Sequence, residues 1–257
     1  GLADRGTGEA MGRMKVLACQ ALSVAVALLA WEAAVHWGVL DPLFVPAPSA
    51  VLRVLGATAA ETLPRLGDTL VKTLLGYALA VCVGVPAGLL LGSRPTAHAV
   101  AMPYVVALYG IPKILILPWI ALIFGIGLST AALSAAVFAI FPVVVLIAAG
   151  TRDVDPTLVT VAVSMGASRA QIGRKVLLPA VLPSVLTAMR VAVVFAMLGA
   201  LLAEMLAGNR GMGFQMQRMA LAFRAADLFA ATAIVSALSI SAVLFLEHLN
   251  QRLGRWR

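Results

Sequence analysis

Two basic side chains lie deep within apolar stretches of this sequence, Lys113 in one stretch and Arg190 in a later one. An ionisable group at the centre of a membrane-spanning helix costs roughly 2.5–3.5 kcal/mol on insertion scales, so such a group rarely lies there without a role. The two cations therefore predict a translocation path for an anionic solute. The structural alternative is an ion pair, a bond to backbone carbonyls, or a side chain that extends to the membrane interface.

A second group of candidate residues lies at the outer end of the apolar stretch that contains Arg190: Glu204, Gly211 and Gly213. Arg190 and Glu204 are about 21 Å apart along one helix, because a helix rises about 1.5 Å per residue, and they cannot pair there. A partner for Arg190 has to come from another segment, and Glu32 is a candidate. The three residues predict either a gate or partner contact on the outer side, or a helix end followed by glycine turns.

No group of residues has the spacing of a catalytic or metal site. The three histidines are far apart, the two cysteines lie in apolar stretches without metal-ligand spacing, and there is no P-loop motif. An intramembrane enzyme would need a His/Asp/Glu or Ser/Lys cluster at one depth. We therefore predict no catalytic residue, no metal ion and no cofactor in this chain.

A polar stretch between two apolar stretches predicts two short amphipathic helices. Asp155 precedes a proline and starts the first helix, Gly166 ends it, and Ser168 with Gln171 forms a capping box for the second. We expect Pro179 to end the second helix. Small residues lie at the corner between the two helices, and such a corner fits a groove in a partner protein.

The composition requires a membrane protein, since 62% of the 257 residues are hydrophobic and 12% are charged. Soluble domains have about 45–50% apolar residues and about 25% charged residues. We predict an all-α polytopic protein with about six transmembrane helices. The predicted spans are 16–37, 73–93, 100–124, 130–149, 183–206 and 228–246.

Prolines modify two of these predictions. The polar stretch 41–68 contains four prolines and predicts an extended entry with a short helix at 49–60. The third span contains Pro103, Pro112 and Pro118, so it is expected to be kinked and to face the protein interior.

The distribution of Lys and Arg predicts the orientation. Eleven lie at the termini and in the loops around 94–99 and 150–180, and five lie on the opposite side. The excess places both termini in the cytoplasm. The five on the other side are Arg53, Arg65, Arg210, Arg218 and Arg224. We interpret 1–14 as a polar cytoplasmic segment and 15–257 as a single transmembrane domain, and we expect no nucleic acid as a partner.

The loop at about 155–179 resembles the EAA loop of binding-protein-dependent ABC importer permeases. Thr160 and Val161 stand where the family has Glu and Ala, so this loop lacks the acidic group. The matching positions are Ala162, Gly166, Val176, Leu178 and Pro179. The segments 46–51, 111–118, 124–127, 203–205 and 211–213 resemble the nitrate, sulfonate and taurine branch.

The resemblance implies a type I ABC importer permease fold in the bacterial inner membrane. It implies a second permease copy, two ATP-binding subunits that hold ATP and Mg, and a periplasmic or lipid-anchored substrate-binding protein. In such an assembly, Lys113 and Arg190 remain the path residues predicted above from their depth. Glu204, Gly211 and Gly213 remain the predicted periplasmic gate or binding-protein contact. The residues that the resemblance assigns to ATPase coupling are Ala162, Ser164, Met165, Gly166, Ala167, Ser168 and Pro179.

The main alternative is a secondary carrier that needs no ATPase. It predicts transport by this chain alone and a protonatable group buried in the path. The candidates are Glu32 and Glu204, which both lie toward the outer ends of spans.

Overall fold

The computed structural model describes residues 3–253, with side chains at 15–168 and 170–248. These residues form helices and connecting turns, with no strand among them. The helices are α1 (Ala3–His36), α2 (Pro48–Ser93), α3 (Pro95–Gly110), α4 (Leu117–Phe124), α5 (Leu128–Arg152), α6 (Pro156–Ser164), α7 (Arg169–Ile172), α8 (Leu178–Ala207), α9 (Met212–Leu221) and α10 (Ala225–Leu253). The side chains of the predicted polar segment 1–14, and those of Arg252, Arg255 and Arg257, lie outside the described residues.

Within the part of the chain that the structure describes, five segments are long and apolar enough to cross a membrane. Counting the bent pair Pro95–Gly110 and Lys113–Phe124 as one span gives six. The five are Lys15–His36, Pro48–Ser93, Leu128–Arg152, Ala170–Ala207 and Ala225–His248. The predicted all-α polytopic class is therefore confirmed.

The chain divides into two compact units, Gly1–Ala60 with Met219–Thr232, and Glu61–Arg218 with Ala233–Arg257. In the smaller unit, Trp31 lies 5.7 Å from Phe229 between ring centroids, and the Thr58 hydroxyl donates to Asp227 at 2.7 Å. That 15–257 act as one domain stays a prediction.

In the larger unit, small side chains allow α5 and α8 to pack closely. Alanines recur every four residues on the buried face of α8, at Ala188, Ala192, Ala196 and Ala200. A Cβ on Gly199 would lie 2.7 Å from the Ser134 carbonyl oxygen on α5. Small residues at helix interfaces are how membrane helices gain close van der Waals contact.

Glycines on α2 serve the same purpose against α5. A Cβ added to Gly84 would lie 2.8 Å from Val143, and one on Gly88 would lie 2.8 Å from Ile147. The two glycines lie one helical turn apart on the same face of α2, which is why the two backbones can approach.

The second predicted span is longer than expected, because α2 is one helix of 46 residues. The expected short helix at 49–60 with an extended chain after it is wrong. Pro64 removes one backbone hydrogen bond, but it lies inside the helix. Thr62 and Thr69 on either side of it are buried, so tertiary packing holds the helix together across the proline.

The third predicted span is broken rather than kinked. α3 and the segment Lys113–Phe124 meet at 85°. Ile111 and Pro112 have extended backbone, and a short 3₁₀ turn, Lys113–Ile116, leads into α4. Pro118 lies in the first turn of α4, where its missing N–H costs no hydrogen bond.

None of the residues of α3 with described side chains is fully buried, although Ala101 and Val105 pack against the core. Leu117 and Ile120 of α4 are buried, so the expected inward-facing position is found for the second half of the span.

The last part of the chain differs in two places. α8 begins at Leu178, so Pro179 and Pro183 lie within it rather than ending the preceding helix. The polar stretch 208–227 contains the additional helix α9, ten residues long.

Candidate functional site

The corner between α6 and α7, residues 162–168, is closed by backbone hydrogen bonds. Gly166 has a φ of +77°, and its N–H donates to the Val163 carbonyl at 2.9 Å. The Ala167 N–H donates to the Ala162 carbonyl at 3.0 Å. This is the Schellman arrangement, which favours glycine at the left-handed position. A Cβ on Gly166 would meet nothing within 4 Å, so backbone conformation and not space selects glycine.

Both helices of this corner begin at caps that the sequence predicted. The Thr157 N–H donates to the Asp155 carboxylate at 2.8 Å. Hydrogen bonding from the Thr157 side chain, and then from this N–H, holds the pKa of Asp155 below its usual value. The Ser168 N–H donates to the Gln171 side-chain oxygen at 2.8 Å, and the Gln171 N–H donates to the Ser168 hydroxyl at 3.3 Å. The predicted capping box is therefore confirmed.

The corner presents an accessible, largely apolar surface. Met165 is 83% exposed, and Val161 and Val163 are exposed as well. The Thr160 hydroxyl donates to the Pro156 carbonyl at 3.1 Å, and the Ser164 hydroxyl donates to the Thr160 carbonyl at 3.0 Å. These hydroxyls are used within their own helix, so Thr160 supplies no replacement for an acidic group.

A π-helical turn, Gly173–Leu177, joins the corner to α8. The Leu178 N–H donates to the Gly173 carbonyl, five residues earlier. Pro179 follows in the first turn of α8, where the lack of an N–H is tolerated. The chain therefore passes from the corner into α8 without leaving the helical state.

Lys113 lies at the break between α3 and α4. Its Nζ donates to the Tyr109 carbonyl at 2.9 Å and lies 4.5 Å from the centroid of the Tyr109 ring. The Phe141 ring centroid is 5.6 Å away. The ammonium is thus held by a carbonyl and two aromatic faces, which is one of the structural alternatives raised by the sequence.

Arg190 has its partner on α10. Its Nη1 lies 3.6 Å from Glu247 Oε1, and its Nη2 donates to the Thr187 hydroxyl at 3.3 Å. The candidate partner Glu32 instead accepts two hydrogen bonds from Ser49 at the start of α2, from the hydroxyl at 2.7 Å and from the N–H at 3.0 Å. The predicted pairing with Glu32 is wrong, because that carboxylate caps a helix N-terminus, which favours a negative charge. No contact in the described chain joins Lys113 to Arg190.

Glu204 is the centre of a buried polar network. Its side chain is 1% exposed, and Lys72 Nζ lies 2.7 Å from its Oε1. Its Oε2 accepts from the Thr69 hydroxyl at 2.8 Å and from the Gly213 N–H at 2.9 Å. We call these groups, with the Arg210 carbonyl and the Met212 N–H described next, the Glu204 network.

The network ties the loop between α8 and α9 to α2. Lys72 Nζ donates to the Arg210 carbonyl at 2.9 Å, and the Met212 N–H donates to the Thr69 hydroxyl at 2.8 Å. Gly211 has a φ of +106°, and a Cβ on it would overlap the Glu204 carboxylate. A Cβ on Gly213 would overlap the Leu201 carbonyl oxygen. The predicted group of Glu204, Gly211 and Gly213 is therefore brought together by direct contact.

The sequence prediction missed Thr69 and Lys72, and a usable signal was present. Lys72 lies next to the outer end of the predicted second span, and Glu204 lies at the outer end of the fifth. Two opposite charges at the same predicted depth, each alone at its helix end, indicate a pair. Among the residues with described side chains, no three His, Cys, Asp or Glu residues are grouped as a metal site would require.

The fold and these sites define a class of protein. Residues 84–255 match the model of the family described as "Binding-protein-dependent transport system inner membrane component". The chain belongs to this family.

Relatives and solved structures agree with that assignment. The chain is 32% identical to the "Taurine transport system permease protein TauC" of Escherichia coli over 243 residues, 91% of this chain and 88% of TauC. It is 28% identical to the "Formylaminopyrimidine transport permease protein ThiX" of Halalkalibacterium halodurans over 231 residues, 90% of this chain and 92% of ThiX. An inward-facing structure of the MetNI methionine ABC transporter matches with a TM-score of 0.65 at 22% identity, covering 75% of this chain and 94% of that one, and supports the fold alone.

The chain is therefore a multi-pass permease of an ABC importer, an inner-membrane component that is not itself an enzyme, and ATP hydrolysis belongs to separate subunits. The family implies a substrate-binding protein and ATPase subunits as partners. These findings do not favour the alternative of a secondary carrier.

Proposed function

We propose that this chain forms the translocation path for a small anionic solute of the sulfonate, taurine or nitrate type. We propose further that the chain couples this path to separate ATPase subunits through the corner at 162–168. The observation that carries the coupling proposal is the exposed, rigidly capped corner itself. The solute class is supported by the similarity to TauC, named as a taurine permease, and by the cations of the chain.

The corner has the properties that a docking element needs. Its backbone is fixed by the Schellman hydrogen bonds and by the capping box, so little conformational entropy is lost when a partner binds. Met165 projects with 83% of its surface exposed, and methionine adapts its shape to an apolar groove. The candidate contact residues are Ala162, Ser164, Met165, Gly166, Ala167 and Ser168, with Pro179 at the base of the following helix.

The assembly that we propose contains two copies of this permease, two ATPase subunits that bind ATP and Mg, and a binding protein. Both termini and the corner face the cytoplasm. The excess of Lys and Arg at the termini and in the loops on this side supports the orientation.

Lys113 and Arg190 remain the proposed path residues. Each already has partners within the chain, so their proposed role is to move between those partners and the anion during transport. Lys113 lies at a break between helices, where a change in helix angle would move its ammonium.

For Glu204, Gly211 and Gly213 we propose a gate at the periplasmic side. The Glu204 carboxylate is buried, so its proposed action is to hold the loop between α8 and α9 and not to contact the binding protein. A binding protein would contact that loop from outside.

The experiment compares Gly166→Trp with the matched control Gly38→Trp. Gly38 also has a positive φ, +74°, and also has nothing within 4 Å of an added Cβ, so the two variants carry similar strain. The tagged chain is purified from its native membrane, and the ATPase that accompanies it is quantified by mass spectrometry. We expect an equal amount of ATPase with wild type and Gly38→Trp, and loss of the ATPase with Gly166→Trp. Retention of the ATPase and of solute-stimulated hydrolysis in Gly166→Trp would contradict the coupling role.

A further inference from the structure

A cavity of about 370 Å³ lies beside the Glu204 network, and the roles considered so far do not use it. Its volume is within the range of small-molecule sites. Its polar and aromatic lining comes from α2, from the loop between α8 and α9, and from α9. These residues are Arg65, Asp68, Asn209, Arg210, Phe214 and Arg218. We call this space the arginine cavity.

The charge of the arginine cavity is strongly positive, with three guanidinium groups and one carboxylate. None of the salt bridges found among the described side chains joins Arg65, Arg210 or Arg218 to an acidic residue. Arg210 and Arg218 are exposed and partly screened by water, and Asp68 offsets one charge. An anion between the three guanidinium groups would relieve the repulsion that remains. The net positive charge of the cavity therefore favours a negatively charged ligand.

Arg65 provides an independent indication. Its Nη1 is buried and has no hydrogen-bond partner. A buried charged donor without an acceptor is costly, and such groups in native structures call for an explanation by an ion or water. A rotation of the Arg65 side chain toward an oxyanion in the cavity that it lines would supply the missing acceptor.

The cavity is also preorganised. Lys72 holds the Arg210 carbonyl at 2.9 Å while it pairs with the buried Glu204, so the backbone of Arg210 is fixed. The Arg218 guanidinium carbon lies 6.0 Å from the centroid of the Phe214 ring, a cation–π distance that orients this side chain. A site whose donors are already placed loses less free energy to ordering when it binds.

We infer that the arginine cavity binds a small oxyanion such as a sulfonate or sulfate. The planar guanidinium fork donates two parallel hydrogen bonds to such a group, and the Asn209 amide lines the same space. The inference deepens the proposed import function by giving the solute a first binding site on the permease. The binding of the anion does not depend on the proposed import function; only its subsequent transport does.

The test measures binding directly. The full chain is placed in nanodiscs of zwitterionic lipid, and radiolabelled sulfate binding is followed by equilibrium dialysis. We expect saturable binding at one site per chain that methanesulfonate competes for and that its uncharged analogue dimethyl sulfone does not. We expect Arg65→Gln and Arg218→Gln each to weaken binding about tenfold or more, because each variant loses a charge-assisted hydrogen bond to the oxyanion.

Two controls separate the site from bulk charge and from misfolding. Arg53→Gln removes the positive charge of an exposed residue that does not line the cavity. This variant should bind sulfate with the affinity of wild type. Arg65→Lys keeps the charge but loses the fork, and it should bind more weakly than wild type at an unchanged melting temperature.

Several results would overturn the inference. These are the absence of saturable sulfate binding to wild type, equal weakening by Arg53→Gln, or competition by dimethyl sulfone. If sulfate did not bind and the arginine variants instead lost affinity for the binding protein, the cavity would accept a protein carboxylate and not a free anion. Solute-stimulated ATPase activity tests the proposed import function separately, because sulfate binding can persist where stimulation fails.

Discussion

Two glycine corners of this molecule have similar backbone geometry and opposite surroundings. Gly166 at +77° closes the exposed corner after α6, and open space surrounds it. Gly211 at +106° lies against the buried carboxylate of Glu204, where a Cβ would overlap side-chain oxygens. One corner needs glycine for its backbone alone, and the other also needs it for space. The first is exposed, as the proposed contact with a partner requires, and the second holds the chain's own loop.

The Glu204 network should give the largest effect on stability. Glu204→Met or Lys72→Met leaves one buried group without its partner, and breaking a buried ion pair costs about 3–5 kcal/mol. We expect a large fall in melting temperature for each single variant in detergent. The double variant Lys72→Met with Glu204→Met should recover part of the loss, and additive losses in the double variant would contradict the direct pairing.

Alanine at the two glycines sharpens the comparison. Gly211→Ala should cost roughly 2–5 kcal/mol, as overpacking against Glu204 adds to the cost of a left-handed residue with a Cβ. Gly166→Ala should cost only about 1–2 kcal/mol, the backbone part. Thermal unfolding of both variants beside wild type measures this difference. Equal losses would mean that the contact of Gly211 with Glu204 has little energetic weight.

Met165→Asp should separate coupling from stability. A surface substitution outside special contacts changes the free energy of unfolding by about 0.5 kcal/mol or less, and Met165 is 83% exposed. We expect an unchanged melting temperature and a loss of solute-stimulated ATP hydrolysis, because a charge is placed in an apolar contact. Met165→Leu is the matched control and should keep most of the activity. Full activity of Met165→Asp would remove Met165 from the contact.

The smallest effect concerns the start of α6. The pKa of Asp155 is lowered by its hydrogen bond from Thr157, so its contribution is present above the unfolded-state pKa near pH 4 and is lost as pH falls through the lower folded-state value. The protection of the α6 amides, measured as hydrogen exchange corrected for its intrinsic pH dependence, should decrease below about pH 4 in wild type. Asp155→Asn, which keeps an acceptor without the titration, should show less pH dependence. Identical profiles would contradict the role of this cap.

The sequence predicted the exposed corner well because its signals are local. Asp155, Gly166 and the pair Ser168 and Gln171 act over two to five residues, which a pattern can reveal. The buried network depends on Lys72 and Glu204, which are 132 residues apart in the chain and meet only through helix packing. The predicted topology put both residues at the outer side, and this shared depth was the signal in the sequence for a pair.

The effect of proline on helix continuity was overestimated at one site and underestimated at another. Pro64 was expected to interrupt α2, but buried threonines on either side hold the helix together. Pro112 was expected only to kink the third span, but extended backbone at Ile111 and Pro112 breaks it at 85°. The local effect of a proline is the same at both sites, and the packing around it decides the result.

Site-specific cross-linking tests the central claim, that the exposed corner contacts a separate ATPase, most directly. Met165→Cys is placed in a background without the native thiols of Cys19 and Cys82, which are both exposed. The control is Leu221→Cys, at a residue that is 71% exposed at the end of α9. We predict that Met165→Cys forms an adduct with the ATPase subunit in native membranes and that Leu221→Cys does not. Equal adducts at both positions, or none at Met165→Cys in an active complex, would contradict the claim.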